Sequence, residues 1–101
     1  MFEIKNNMYE LKFNMKTIKQ IESVTKENIV SVIQRSNGIL SLTDLCTYVG
    51  FGLYNDIGAR ISPQQGLTLA EDWIEEAGFL AVNEEVLTSI DRDCPFLFKV
   101  G

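Results

Sequence analysis

The chain has 101 residues, 46% of them hydrophobic and 23% charged, with a net charge of −5 and no histidine. That size and composition describe one folded domain spanning 1–101, and they exclude a chain that is disordered throughout. The lack of histidine removes Ser-His and Cys-His nucleophilic pairs, together with the commonest general base and the commonest metal ligand.

Taken in order, residues 2–5 and 8–13 read as two strands of a β-hairpin, about 2–13, turning at Asn6-Asn7, since asparagine tolerates the positive φ of a tight turn. Tyr9, Leu11 and Phe13 alternate onto one face. At Asn14 the rhythm changes from two to helical: Ile18, Ile21 and Val24 form one stripe. Asn14 suits the N-cap of a helix over 15–23. Thr25 suits the cap of a second helix over 26–37, with Ile29, Val30, Val32 and Ile33 inward and Gly38 as terminator. Ser41 with Asp44 resembles a capping box for a helix over 41–50, which carries Leu42, Leu45, Cys46, Tyr48 and Val49.

Gly50-Phe51-Gly52-Leu53-Tyr54-Asn55 is ambiguous. Each glycine weakens a helix by about 1 kcal/mol relative to alanine, yet Val49, Phe51, Leu53 and Ile57 keep an apolar pattern. The reading stops the helix at Gly50 and leaves open its resumption through Asn55 to Arg60. Ser62-Pro63-Gln64-Gln65 is the sharpest local signal, an N-cap, a proline at the first helical position and a box-closing glutamine. It predicts a helix over 63–77 with Leu67, Leu69, Ala70, Trp73, Ile74 and Ala77 for packing and Gly78 as its end. Asn83-Glu84-Glu85 starts a last helix over 83–91, its carboxylates near the positive end of the dipole. Pro95 then breaks the pattern. The apolar tail 95–101 reads either as a strand added beside the hairpin or as an anchor for a partner. The fold class is therefore α+β, mainly helical with an N-terminal β-hairpin.

Charge is unevenly spread. Residues 1–50 hold six Lys/Arg against five Asp/Glu, a net of +1, and residues 51–101 hold three against nine, a net of −6. Lys12, Lys16 and Lys19 are the only local basic cluster, too little to displace counterions from a phosphate backbone, so no nucleic-acid partner is expected. No run approaches the ~20 consecutive apolar residues of a membrane span, and Met1-Phe2-Glu3-Ile4-Lys5 lacks the layout of a secretory leader. The expected compartment is the cytoplasm, and no membrane partner is expected.

Chemistry-bearing groupings are few. Cys46 and Cys94 stand 48 positions apart and cannot make a zinc site without further ligands. Glu71, Asp72, Glu75 and Glu76 share a helix face. Clustered carboxylates hold hard cations or serve as acid and base, but the same spacing is that of a solvated face. Gly50-x-Gly52 lacks the third glycine and the preceding strand of a phosphate loop. No catalytic residue, metal ligand or cofactor is assigned. Tyr48, Phe51 and Tyr54, near spacing three, read either as core or as a self-association patch making a homo-oligomer. With Phe96, Leu97 and Phe98 they are the candidate partner-binding residues.

The run Tyr9-Glu10-Leu11-Lys12-Phe13, followed by Ile18-Lys19-Gln20-Ile21-Glu22, resembles the opening of tail assembly chaperones of siphophages and prophages, a hairpin "Y-x-L-x-F" ahead of a helix with "I-x-x-I/L-E". Gly38-Ile39-Leu40-Ser41-Leu42-Thr43-Asp44-Leu45 and the acidic-aliphatic helix from Leu67 to Gly78 are similar to two further elements of that family. Gly50–Arg60 and Phe96–Val100 have no counterpart. The resemblance implies a non-enzymatic protein of the bacterial host's cytoplasm that keeps the phage tape-measure protein soluble and recruits the major tail protein around it. Two other roles stay open: a structural minor tail or tail-completion protein retained in the virion, and a small acidic regulatory binding protein.

Overall fold

The computed structural model describes residues 1–100; Gly101, the end of the predicted tail, lies outside them. The architecture is mainly helical α+β with an N-terminal antiparallel hairpin. Strand β1, Phe2–Ile4, pairs with β2, Asn7–Leu11, with Phe2 opposite Tyr9. The turn is Lys5-Asn6, one residue earlier than predicted. Both residues have positive φ, 50° and 68°, the pairing of a two-residue hairpin whose twist matches its strands. Tyr9, Leu11 and Phe13 are all buried on one face, as their alternation requires.

Helix α1, Met15–Thr25, starts where Asn14 Oδ1 accepts the Thr17 N–H at 2.9 Å. Ile18 and Ile21 are buried, whereas Val24, the third member of the predicted stripe, faces solvent. Lys26 closes α1 in the left-handed region. The cap of α2, Ile29–Arg35, is then Asn28, which accepts from Ser31, and not Thr25. The Glu22 carboxylate also reaches across the break to accept the Ile29 N–H at 2.9 Å.

Helix α3, Leu42–Gly52, is capped by Ser41 as predicted and runs two residues past the expected end. Its glycines are explained by what approaches them. A methyl group on Gly50 would meet Leu67 at 3.2 Å, and one on Gly52 would meet the Phe13 ring at 2.6 Å. The helix does not resume through Asn55 to Arg60. Leu53–Asn55 forms β3, which pairs antiparallel with β2 and completes a sheet of order β1-β2-β3. The free side of β3 is occupied by the returning chain, where the Ile61 N–H donates to Leu53 O at 2.9 Å.

Helix α4, Pro63–Ala77, has Ser62 at its N-cap and Pro63 in its first turn, matching the prediction. It packs chiefly on α3, at a point where a methyl group on Gly66 would sit 2.5 Å from the Gly50 carbonyl oxygen. Gly78 (φ 96°, ψ 147°) ends α4 and is also the cap of α5, Phe79–Asp93. The last helix therefore begins four residues before the predicted Asn83. That residue lies inside it, buried, with Nδ2 donating to Gly38 O at 2.7 Å and Oδ1 accepting the Leu40 N–H at 3.0 Å. The described residues of the tail, 95–100, make no strand. Pro95–Leu97 is a short 3-10 turn on the end of α5, and the third strand of the sheet comes from the middle of the chain instead. The core lies between the sheet and helices, with Ile4, Leu11, Leu45, Tyr48, Leu53 and Val86 at its centre. No helix among the described residues is long and apolar enough to cross a membrane.

Candidate functional site

The predicted binding residues fall in different surroundings. Tyr48 is 1% exposed and belongs to the core, so it is corrected from a surface role to a packing one. Burial, reinforced by the Asp44 charge, raises its phenol far above the usual range, which keeps it neutral. Phe51 and Tyr54 are half-buried. Each lies beneath a cation, Arg60 at 6.0 Å from the Phe51 ring and Lys12 at 5.4 Å from the Tyr54 ring. The expectation of one aromatic patch rested on helical spacing, and α3 ends at Gly52, between Phe51 and Tyr54. At the C-terminus Phe96 (41%) and Phe98 (40%) are exposed, while Leu97 packs against the core.

Three of the surface recesses bear on binding. The first, of about 710 Å³, lies where β2 leaves the sheet and is lined by Glu10, Lys12, Asn14, Tyr54, Arg92 and Asp93. It works as a clasp. Arg92 Nη2 donates to Leu11 O at 2.8 Å, Asp93 Oδ2 accepts the Phe13 N–H at 2.9 Å, and the two side chains pair at 2.7 Å. The Arg92 hydrogen bond, aided by the Phe13 N–H, holds the Asp93 carboxyl below its ordinary value. Two cations stand against two carboxylates there, with Lys12 and Glu10 at 3.5 Å, so the recess has no net charge to draw a charged ligand.

The second, of about 530 Å³, lies along one side of α1, between Met15, Lys16, Lys19, Gln20 and Ser23. The third, of about 450 Å³, is a groove between α3 and α4. Its apolar surface comes from Leu42, 58% exposed, with half-buried Cys46 and Ile74. Glu71, Asp72 and Glu75 line it as well. Burial first, and then the neighbouring Glu71 charge, push the Cys46 thiol up. A thiol so placed is predominantly protonated and a poor nucleophile at neutral pH. The acidic face singled out in the sequence thus borders an apolar groove. Its partner helix was hidden, because the pairing of α3 with α4 depends on Gly50 meeting Gly66, sixteen positions apart.

Of the predicted carboxylate quartet, Glu76 is drawn off toward the hairpin, where its oxygens accept the Lys5 N–H at 3.3 Å. Cys94 is fully buried at the end of α5, and neither cysteine is in a disulfide. Compared with models of protein families, with curated proteins and with solved structures, the chain matches none.

Proposed function

We propose that this protein is a non-enzymatic binding protein of the tail assembly chaperone type, covering apolar helical surface on a phage tape-measure protein during tail morphogenesis in the bacterial cytoplasm. The observation that carries the reading is the open α3–α4 groove, in which apolar side chains and carboxylates lie side by side. An amphipathic helix that would otherwise aggregate can lay its apolar face in such a groove. The chain's net charge of −5 helps keep the resulting complex soluble. Many copies along one long helical chain act together even when each contact is weak. The resemblance of Tyr9–Phe13 and Ile18–Glu22 to the opening of that family names the partner class, and recruitment of the major tail protein follows from the same resemblance.

Co-expression tests the proposal. A tape-measure protein encoded beside this chain is expected to move from the pellet to the soluble fraction when the chain is present and to co-purify with it. An unchanged distribution refutes the reading.

A further inference from the structure

The charges on the two groove helices carry the reading further. Helices α3 and α4 together hold Asp44, Glu71, Asp72, Glu75 and Glu76 and not one lysine or arginine. Three of those carboxylates line the groove beside Leu42, Cys46 and Ile74. Leu67, further along α4, adds an exposed apolar side chain and touches Gly50 of α3. We propose that the α3–α4 groove is the docking surface and that its occupant is a basic amphipathic helix of another protein, one apolar row flanked by lysine or arginine. This inference rests on the reading that the chain works by covering apolar surface, and it adds the place and the chemistry of the partner.

Size and charge both point to such an occupant. The eleven residues of α3 and fifteen of α4 give walls of roughly 16 and 22 Å at 1.5 Å per residue, and the shorter wall limits the docked segment to about three helical turns. An acidic helix would set like charges against Glu71 and Glu75 at close range, which disfavours it. The remaining cationic helix face in this fold is Lys16 and Lys19 on α1. It does not qualify a second copy as occupant, because Ile18 and Ile21 are in the core and the exposed Met15 and Val24, nine positions apart, stand on opposite sides of α1 and make no single apolar row.

The two cysteines supply an internal reporter. Cys46 lies in the groove and is half-buried, whereas Cys94 is fully buried and silent. The probes are two 18-residue amphipathic peptides with an identical leucine row, one with lysine flanks and one with glutamate flanks. Binding is read by fluorescence anisotropy, and occupancy by the rate at which iodoacetamide modifies Cys46 in the full chain in mildly alkaline buffer, where enough of the raised thiol ionises to react. The lysine peptide is expected to bind at least about tenfold more tightly than the glutamate peptide, a difference within reach of two or three rim ion pairs. It should slow Cys46 modification and lose affinity as salt screens the rim. The double substitution Glu71→Lys/Glu75→Lys, at exposed helical positions, should reverse the preference while leaving the circular dichroism unchanged.

Equal affinity for the two peptides, or binding that leaves Cys46 as reactive as before, overturns the proposal. So does a loss of binding on Lys16→Glu/Lys19→Glu with none on Glu71→Lys/Glu75→Lys, which moves the site to α1. Protection of Cys46 that grows with protein concentration in the absence of peptide assigns the groove to a second copy and also overturns it. Repeating the co-expression with Glu71→Lys/Glu75→Lys separates the two levels. If wild type and variant solubilise the tape-measure protein equally, the groove assignment fails and the chaperone reading stands. If neither does and the lysine peptide still protects Cys46, the reverse holds.

Discussion

Replacing Gly66 by alanine should destabilise the fold, although helix propensity alone calls for the opposite. In an exposed helix interior the change gains about 1 kcal/mol. Here the new methyl carbon would lie 2.5 Å from the Gly50 carbonyl oxygen, 2.8 Å from its Cα and 3.0 Å from its carbonyl carbon. Ordinary non-bonded contact is near 3.5 Å, so α3 and α4 must part by roughly 1 Å. All three opposing atoms are backbone, and no rotamer change relieves them. Overpacking of this kind costs about 1–3 kcal/mol. The α3–α4 contact is the most extensive in the molecule, which places the cost at the upper end. Set against the propensity gain, the net loss is about 2 kcal/mol, a fall in Tm of roughly 8–16 °C for a domain of this length. Gly50→Ala meets the flexible Leu67 side chain at 3.2 Å and should lose less. Urea and thermal unfolding followed by Trp73 fluorescence measure both. A Gly66→Ala protein with a raised midpoint, or one less affected than Gly50→Ala, would refute the close-approach argument.

Other side chains give equally definite expectations. Trp73 is 5% exposed and stacks on Phe2 with ring centroids 4.0 Å apart, so Trp73→Ala should cost about 3–5 kcal/mol; near-wild-type urea unfolding would contradict a core role. Asn83→Ala leaves Gly38 O and the Leu40 N–H without partners, a loss of about 2–4 kcal/mol in the same assay, and an unaltered midpoint would show that water replaces the amide. The Asp93 carboxyl, held low by Arg92 and the Phe13 N–H, has a folded pKa below the unfolded value near 3.9. Its contribution is present above that value and fades as pH falls through the folded one. Asp93→Asn should therefore be less stable than wild type at pH 7, with the gap closing at pH 3; a gap that stays constant between the two would remove the clasp from the account of acid sensitivity.

Legibility in the sequence followed the range of the interaction. Asn14, Ser41 and Ser62 were readable as caps because each hydroxyl or amide oxygen accepts from a backbone N–H three positions on. The buried face Tyr9, Leu11 and Phe13 was equally plain. Thr25 misled because Lys26 takes a left-handed conformation and lengthens the break, passing the cap to Asn28. Strand β3 was illegible: three residues after a glycine-bearing helix become a strand only because β2 waits beside them. Asn83-Glu84-Glu85 looked like a helix start because carboxylates favour the positive end of the dipole, whereas the Asn83 amide is spent on the 38–40 segment from inside the helix. Phe79, Val82, Val86 and Ile90 already stood at helical spacing and would have shown the earlier start. Of the groove, the carboxylates were visible and the facing Leu42 and Cys46 were noted only as part of a stripe, since what brings them together is a contact between two glycines.

The joint at Gly78 has a mechanical consequence. Two fifteen-residue rods meet there at one residue whose backbone angles, 96° and 147°, lie in a region almost reserved for glycine. With no spare link between the rods, one pair of torsions sets the elbow. A side chain at position 78 would disfavour that φ, so it would have to change the angle between the wall that borders the groove and the arm that grips Gly38 and Leu40.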